Sequence, residues 1–423
     1  MAEVTSFPGV RYQEEIGADL SALVAPPYDV IPPTLQRELH ARHPHNVIHL
    51  EFGLPQPADS PGDDQYTRAA GWLNEWLATG VLGHDEPSLY VCEEEFVDQQ
   101  GRTRQRTGLV ASVRLQEFSE GGIKPHELTR AAPKADRLNL LRATRANLSS
   151  IFALCDEPTG VFDQRLSACV AAPPLATAVG PKGVTSRLWR IGDPAMIVSL
   201  QTALRDAPLF IADGHHRYET ALNYRAEQRA ANAAWSGEEP PNFVMMTIAS
   251  TRNPGLAIFP THRLLRFTQA FDLNRLCAEA APYFNVADCE PRAPAGAEVP
   301  TFVLATRART IRLTLKSAHG VAHWLSAQSA ANELDVTILH DIIIDRLFPA
   351  AGVPSSALAL DYTADDGEAI ASLQSGASDC VCLMQATRME QVLAMSWAGE
   401  KLPSKSTYFY PKLLTGLVLR SLA

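Results

Sequence analysis

Ile211-Ala212-Asp213-Gly214-His215-His216-Arg217-Tyr218-Glu219-Thr220-Ala221 is the stretch on which the fold reading turns. The apolar run Leu209–Ala212 predicts a short buried strand. Gly214 supplies a tight turn, and Tyr218–Gln228 has a helical pattern. A helix starting here presents unpaired N–H groups and the positive end of its dipole. Arg217 adds a planar donor fork and the histidines add further donors. That combination suits a phosphate or a carboxylate. A plain cap and turn would account for Asp213 and Gly214, but not for His-His-Arg beside them.

Outward from this box the pattern alternates between strand and helix. Phe243–Ser250 and Ile151–Leu154 read as apolar strands. Leu89–Phe96 and Thr107–Leu115 read as a hairpin around a polar turn. Asp193-Pro194 opens a helix with a cap followed by proline. Asp136–Asn147 is an amphipathic helix, Leu35–His43 a helix capped by Thr34, and Asn46–Phe52 alternates like a strand. Near 267 the texture shifts, and a Pro/Ala-rich connector covers 291–300. The expected architecture is α+β. Residues 1–266 form a mixed-sheet catalytic or phosphate-binding domain, and 267–423 form a C-terminal α+β domain whose tail loop returns toward the site.

Composition excludes several classes. The chain has 423 residues, 46% of them hydrophobic, so it can bury a sizeable core. Lys plus Arg number 37 against 47 Asp plus Glu, a net charge of −10. Such a balance does not coat nucleic acid by bulk charge, and no nucleic-acid partner is expected. The N-terminus has no secretory pattern, and no apolar run is long enough to span a membrane. Seven scattered cysteines without a CxxC pair argue against a disulfide framework or a zinc knuckle, and a reducing cytoplasm is expected. Cys380 and Cys382 are spaced to share one face of a strand and to pack in a core.

Three further constellations carry candidate chemistry. Lys124-Pro125-His126-Glu127-Leu128-Thr129 leads to Pro133-Lys134-Ala135-Asp136-Arg137 and a helix bearing Arg142 and Arg145. His126 and Glu127 suit acid–base or metal-ligand roles, and Lys134 with the arginines suits negative charge. Ala25-Pro26-Pro27-Tyr28-Asp29-Val30 is a rigid loop that can hold Tyr28 and Asp29 toward a substrate. Pro403-Ser404-Lys405-Ser406-Thr407-Tyr408-Phe409-Tyr410-Pro411-Lys412 is a dense polar–aromatic segment, with Lys405 its substrate-binding candidate. The GxxxxGK[ST], GxGxxG, HExxH and GxSxG devices are absent.

VAPPYDVI, KPHELT, PKADRLNLLRATRANLS, IADGHHRYETAL, PTHRLL and LPSKSTYFYPKLLTGLV together resemble the bacterial and archaeal family known as domain of unknown function 1015. They span nearly the whole chain. The Asp213–Ala221 box is also similar to the turn-and-helix element of the superfamily that unites ParB proteins, sulfiredoxin and the free-serine kinases. There the corresponding box lies at a helix N-terminus and binds nucleotide phosphate. This resemblance implies a ParB/sulfiredoxin-like strand-turn-helix in the core. It implies phosphate binding by Gly214, His215, His216 and Arg217, with Asp213 beside the transferred group. The kinases also use a carboxylate from elsewhere in the chain, for which Glu127 and Asp29 are the candidates. The chain departs from that superfamily in its length and its extra C-terminal domain.

The resulting expectation is a phosphoryl-transfer enzyme, kinase or phosphatase, acting on a small phosphorylated substrate or its parent hydroxy-amino acid, such as serine. Catalytic roles fall to Asp213, His215, His126 and Glu127. Phosphate or nucleotide binding falls to Gly214, His216, Arg217, Lys134, Arg137, Arg142 and Arg145. Mg²⁺ would sit at Asp213 and Glu127, with ATP or ADP as nucleotide. Two alternatives compete with this reading. One is a metal-dependent hydrolase built on His126, Glu127, Asp213, His215 and His216. The other is a nucleotide-binding ParB-like regulatory or DNA-partitioning protein, which lacks a helix-turn-helix after Ala221. The sequence leaves the oligomeric state open.

Overall fold

A computed structural model describes residues 2–325, 329–402 and 405–423. The fold is α+β with mixed sheets. Two compact units divide the chain. The first holds the residues up to Pro125, then Thr129–Ala257 and Pro411–Ala423. The second holds His126–Leu128 and Ile258–Tyr410.

A nine-stranded sheet organises the first unit. Its path runs Ile123–Lys124, Leu209–Asp213, Ile151–Cys155, Phe243–Ser250, Thr103–Arg114, Leu89–Val97, Thr185–Ile191, Ala176–Val179, and Val4–Thr5 pairs with Thr103–Arg114 off this path. Leu209–Asp213 runs parallel to Ile123–Lys124, and Phe243–Ser250 parallel to Ile151–Cys155; the other pairs are antiparallel. Phe243–Ser250 is buried along its whole length, as a strand covered on both faces must be. The two-residue alternation of side chains feeds two separate cores. Leu89 and Val91 enter one of them, and Tyr90 and Cys92 the other.

The helices that position the site flank this sheet. Gln65–Ala78 starts on Asp64, whose carboxylate accepts from Tyr66 and Thr67 amides. Ala131–Thr144 begins earlier than its apolar periodicity suggests. It ends at Arg145 in the left-handed region, φ 48°, and Ala146–Asn147 then joins a small sheet. That small sheet pairs Leu82–His84, Gly9–Tyr12, Leu419–Ser421 and Ala146–Asn147 in this order, so the last residues of the chain return to the first unit.

Two local expectations fail in this unit. Asn46–Phe52 alternates like a strand, yet Ile48–Glu51 is a short helix. Asn46 explains the difference. Its Nδ2 donates to Ala22 O and Val24 O, and its Oδ1 accepts from Ile48 N, which nucleates a turn. Val47, Ile48 and Leu50 are all fully buried, so alternation never had a solvent face to report. The Leu35–His43 helix is also different in its start. It runs Pro33–Arg42 with Pro33 in the first turn, and Thr34 lies inside it rather than capping it.

The second unit is built on a six-stranded antiparallel sheet. The strands run in the order Phe284–Asp288, Thr310–Leu315, Thr301–Thr306, Cys380–Met384, His262–Phe267, Leu358–Thr363. Cys380 and Cys382 do share a face, packed in the larger core, while Val381 and Leu383 face the smaller one. Burial pushes the Cys382 thiol up to about 12. Among the described residues, no helix is long and apolar enough to cross a membrane.

Candidate functional site

The strand Leu209–Asp213 ends, Gly214 turns, and His215 begins a helix that continues to Ala231. Gly214 has φ 95° and ψ 26°, a left-handed conformation that suits glycine. A Cβ here would also lie 3.0 Å from Arg217 Nε. The pairing register shifts between Ile211 and Asp213, a local irregularity of the kind that re-aims a side chain at a strand end. Tyr218 anchors the new helix, its hydroxyl accepting from Gln116 N and donating to Gln116 O.

Asp213 is held by two cations. Arg217 Nη2 donates to Oδ2 at 2.8 Å, and Lys412 Nζ donates to Oδ1. The side chains of Asp213, Arg217 and Lys412 are 17%, 12% and 12% exposed. Burial by itself would raise this carboxyl, but Lys412 and Arg217 overcome it and hold Asp213 well below the usual carboxylate range. Asp213 therefore stays ionised at neutral pH and is poorly placed to shuttle a proton there. Arg217 Nη1 also donates to Ser150 O.

The two histidines differ. His215 is buried. His216 Nε2 accepts from the Arg130 amide at 2.9 Å, so that nitrogen carries no proton. Burial, helped by the Arg130 and Lys134 charges, lowers its pKa and keeps the ring neutral. The proton then resides on Nδ1, which makes His216 a one-sided donor.

Other candidates join this unit. Tyr28 sits in a short turn after Pro27, and the Arg137 guanidinium stacks 4.1 Å over its ring. Burial, with Asp29 nearby, raises the Tyr28 hydroxyl. The charge of Asp29 also acts on His216. Arg137 donates to Glu51 O at 2.9 Å, to Glu51 Oε1 at 3.3 Å and to Asp136. Glu51 is 2% exposed and accepts from Ser149 Oγ as well. Burial raises its carboxyl despite Arg137 and Arg217. Glu51, Arg137, Ser149 and Arg217 line part of a small cavity of about 50 Å³. Lys134 Nζ meets Glu219 Oε2 at 2.7 Å, and Thr129 Oγ1 meets the same oxygen at 2.6 Å.

The remaining basic candidates lie elsewhere in this unit. Arg142 is half exposed and forks onto Glu227, tying its helix to His215–Ala231. Arg145 forms the left-handed end of its helix, and its carbonyl accepts from Leu422 N.

His126, Glu127 and Lys405 belong to the second unit. His126 Nε2 lies 3.0 Å from Thr407 Oγ1, and Glu127 Oε1 accepts from Lys405 N at 3.1 Å. His126 O accepts from Leu402 N, and Leu128 N donates to Leu402 O. Lys405 has a left-handed backbone, φ 65°. His262 Nε2 lies 2.7 Å from Asp366 Oδ1 in the same unit. Among the described residues no group of three or more His, Cys, Asp or Glu is arranged to hold a metal ion.

Sequence reasoning missed Lys412 and Glu51. Lys412 ends the polar–aromatic tail segment, but nothing in spacing distinguishes it from Lys405. Glu51 was hidden inside a stretch that reads as a strand.

The molecule is thus an α+β protein with a carboxylate, a guanidinium and an ammonium gathered at a strand-to-helix turn. The family model for a protein of unknown function, DUF1015, matches residues 4–337, and the chain belongs to that family. Among curated proteins none matches. Solved structures similar to this chain include a conserved hypothetical protein from Pyrococcus furiosus, at 14% identity and a TM-score of 0.35, covering 71% of this chain and 90% of that one. Another is a free serine kinase in complex with AMP, at 13% identity and 0.35, covering 71% and 86%. A third is SbnI with a C-terminal truncation from Staphylococcus aureus, at 9% identity and 0.35, covering 72% and 85%.

Proposed function

We propose that this chain transfers a phosphoryl group to or from a small molecule, as a kinase or phosphatase acting on a hydroxy-amino acid such as serine or on its phosphate. One observation carries the reading: Asp213, Arg217 and Lys412 meet at the start of the helix His215–Ala231. A helix N-terminus beside a guanidinium fork and an ammonium is suited to a phosphoryl group, whose transfer depends mainly on positioning and charge stabilisation. The similarity of the Asp-Gly-His-His-Arg box to free-serine kinases supports the choice of substrate class.

In this reading Gly214, His216 and Arg217 bind phosphate oxygens, with Lys134 and Arg137 adding positive charge. His215 assists at the reacting centre, and Tyr28 and Asp29 contact the substrate. In the kinase direction the substrate hydroxyl loses its proton to a carboxylate of the same unit, Asp29. Its oxygen forms the new P–O bond, and the bond from that phosphorus to the nucleotide's bridging oxygen breaks, leaving ADP from ATP or AMP from ADP. Mg²⁺ is the expected companion of nucleotide phosphates. Both Asp213 oxygens already accept from cations, so Asp213 does not fit a direct metal ligand in this arrangement.

Thermal stability with ATP, ADP, CTP, serine and phosphoserine, each with and without Mg²⁺, tests the proposal. A ligand at about 100 times its Kd adds ~2.7 kcal/mol of stability. Phosphorus NMR of the stabilising pair then reads turnover. Should no phosphorylated ligand raise Tm, or should the rise persist unchanged in Arg217→Ala, the reading fails.

A further inference from the structure

Arg106 and Glu94 form an ion pair in the interior of the nine-stranded sheet. They stand directly opposite each other on the hairpin strands Thr103–Arg114 and Leu89–Val97. Arg106 Nε meets Glu94 Oε2 at 2.8 Å, and Nη2 meets Oε1 at 2.8 Å. The two side chains are 1% and 2% exposed. The guanidinium stacks 4.4 Å from the centre of the Phe152 ring, and Phe152 is the register partner of Asp213.

A buried pair of this kind is a poor source of stability. Desolvation offsets most of its Coulomb attraction, and well-packed apolar groups often serve as well. Its geometry offers another use. Nη2 reaches past Glu94 and donates to Pro411 O at 2.6 Å. The next residue, Lys412, is the one that meets Asp213. Without Glu94, the Arg106 fork would lose the bidentate partner that helps to orient it; without Arg106, the Pro411 carbonyl would lose that donor.

We infer that Arg106, oriented by Glu94, is a positioning residue that fixes the Pro411–Lys412 backbone so that the Lys412 ammonium stands on Asp213. It acts through Lys412 and does not itself touch the reacting groups. The functional meaning rests on the phosphoryl-transfer reading; the positioning itself does not.

The test uses the full-length chain and reads Lys412 directly. Glu94→Leu with Arg106→Met replaces the pair by apolar groups of similar size. Lysine acetylation with a limiting reagent, followed residue by residue by mass spectrometry, reports how firmly Lys412 is held. We expect cooperative unfolding to be retained while Lys412 labels about tenfold faster, the scale of losing a hydrogen bond to a charged group. Labelling of the other lysines should not change. If the double variant lacks a cooperative transition, Arg106→Lys takes its place, because it keeps the charge but loses the fork. Unchanged Lys412 labelling in a folded variant overturns the inference. Failure of ADP, ATP and phosphoserine to stabilise the unmodified protein would instead overturn the phosphoryl-transfer reading and leave the labelling result standing.

Discussion

Lys412 and Asp213 are 199 positions apart in the chain, and the ammonium of one donates to the carboxylate of the other. That contact pins the returning C-terminal segment to the end of the strand Leu209–Asp213. It also explains why Asp213, although largely buried, keeps its charge. The pair sets a pH dependence. Asp213 has a depressed folded pKa, against an unfolded value of about 3.9. Its contribution to stability is therefore present above that value and lost as pH falls toward the folded one. Lys412→Met raises the folded value and shrinks the contribution. Acid unfolding followed by circular dichroism should begin at higher pH in Lys412→Met than in the parent. Superimposed acid limbs would show that Lys412 does not control the carboxylate.

Arg217 serves two partners, Asp213 and the Ser150 carbonyl. Arg217→Ala should cost about 1–3 kcal/mol of stability, because both partners lose a donor in a largely buried place. If the guanidinium also grips a phosphoryl group, catalytic efficiency should fall ~10²–10³-fold, the scale of one lost electrostatic stabiliser. Arg217→Lys should recover more of the stability than of the activity, since the fork is lost. Melting and phosphoserine binding measured on one preparation separate the roles. A destabilised variant whose folded fraction binds phosphoserine normally would reduce Arg217 to a structural strut.

Gly214→Ala tests the turn itself. A left-handed residue with a Cβ costs about 1–2 kcal/mol, and the new methyl would press on Arg217 at 3.0 Å from Nε. The expected result is a lower Tm together with weaker phospho-ligand binding. Gly160 is a fair control: it is also left-handed, φ 75° and ψ 4°, but an added Cβ there meets nothing within 4 Å. Gly160→Ala should show the backbone strain without touching ligand response.

His340 gives a second pH dependence, in the other unit. Burial, reinforced by the neighbouring Arg263, lowers its pKa to about 4. Its Nε2 lies 3.1 Å from Arg263 Nη2 and 3.3 Å from Nε, so it accepts from the guanidinium and is unprotonated. The unfolded ring takes a proton near pH ~6.5. The sign is opposite in chemistry to Asp213 but similar in outcome: stability is full above that pH and declines toward the folded value as pH falls. The decline is at most about 1.4 kcal/mol per pH unit. His340→Gln keeps an acceptor for Arg263 and removes the titration. Urea unfolding between about pH 7 and pH 4.5 should show a shallower loss in His340→Gln. An identical slope would mean that the ring is not neutral in the folded state.

The local fold of the candidate site is legible in the sequence. The box from Asp213 to Arg217 announces a strand, a turn and a helix because each signal is local: an apolar run, a glycine, and a helical pattern. The strand ends at Asp213 and the helix starts at His215. The pairing of Cys380 and Cys382 on one face follows from the two-residue period of any strand. By contrast, Asn46–Phe52 deceived the period argument, because Asn46 side-chain hydrogen bonds impose a turn that alternation cannot report. Lys134 and Arg137 stand out in the sequence as cations, but their partners Glu219 and Glu51 are defined only when distant segments come together.

By itself the sequence determined the secondary structure around Asp213, the helix start after Gly214 and the family. These follow from backbone sterics, hydrogen-bond periodicity and the chemistry of neighbouring residues, all acting within a few positions. Tertiary structure alone decided which lysine meets Asp213, which proton His216 carries, and that Glu94 and Arg106 are forked together behind Pro411. Those facts depend on hydrogen bonds between residues tens to hundreds of positions apart. Their charges shift only when packing removes water, and no local pattern encodes which partners the packing will choose.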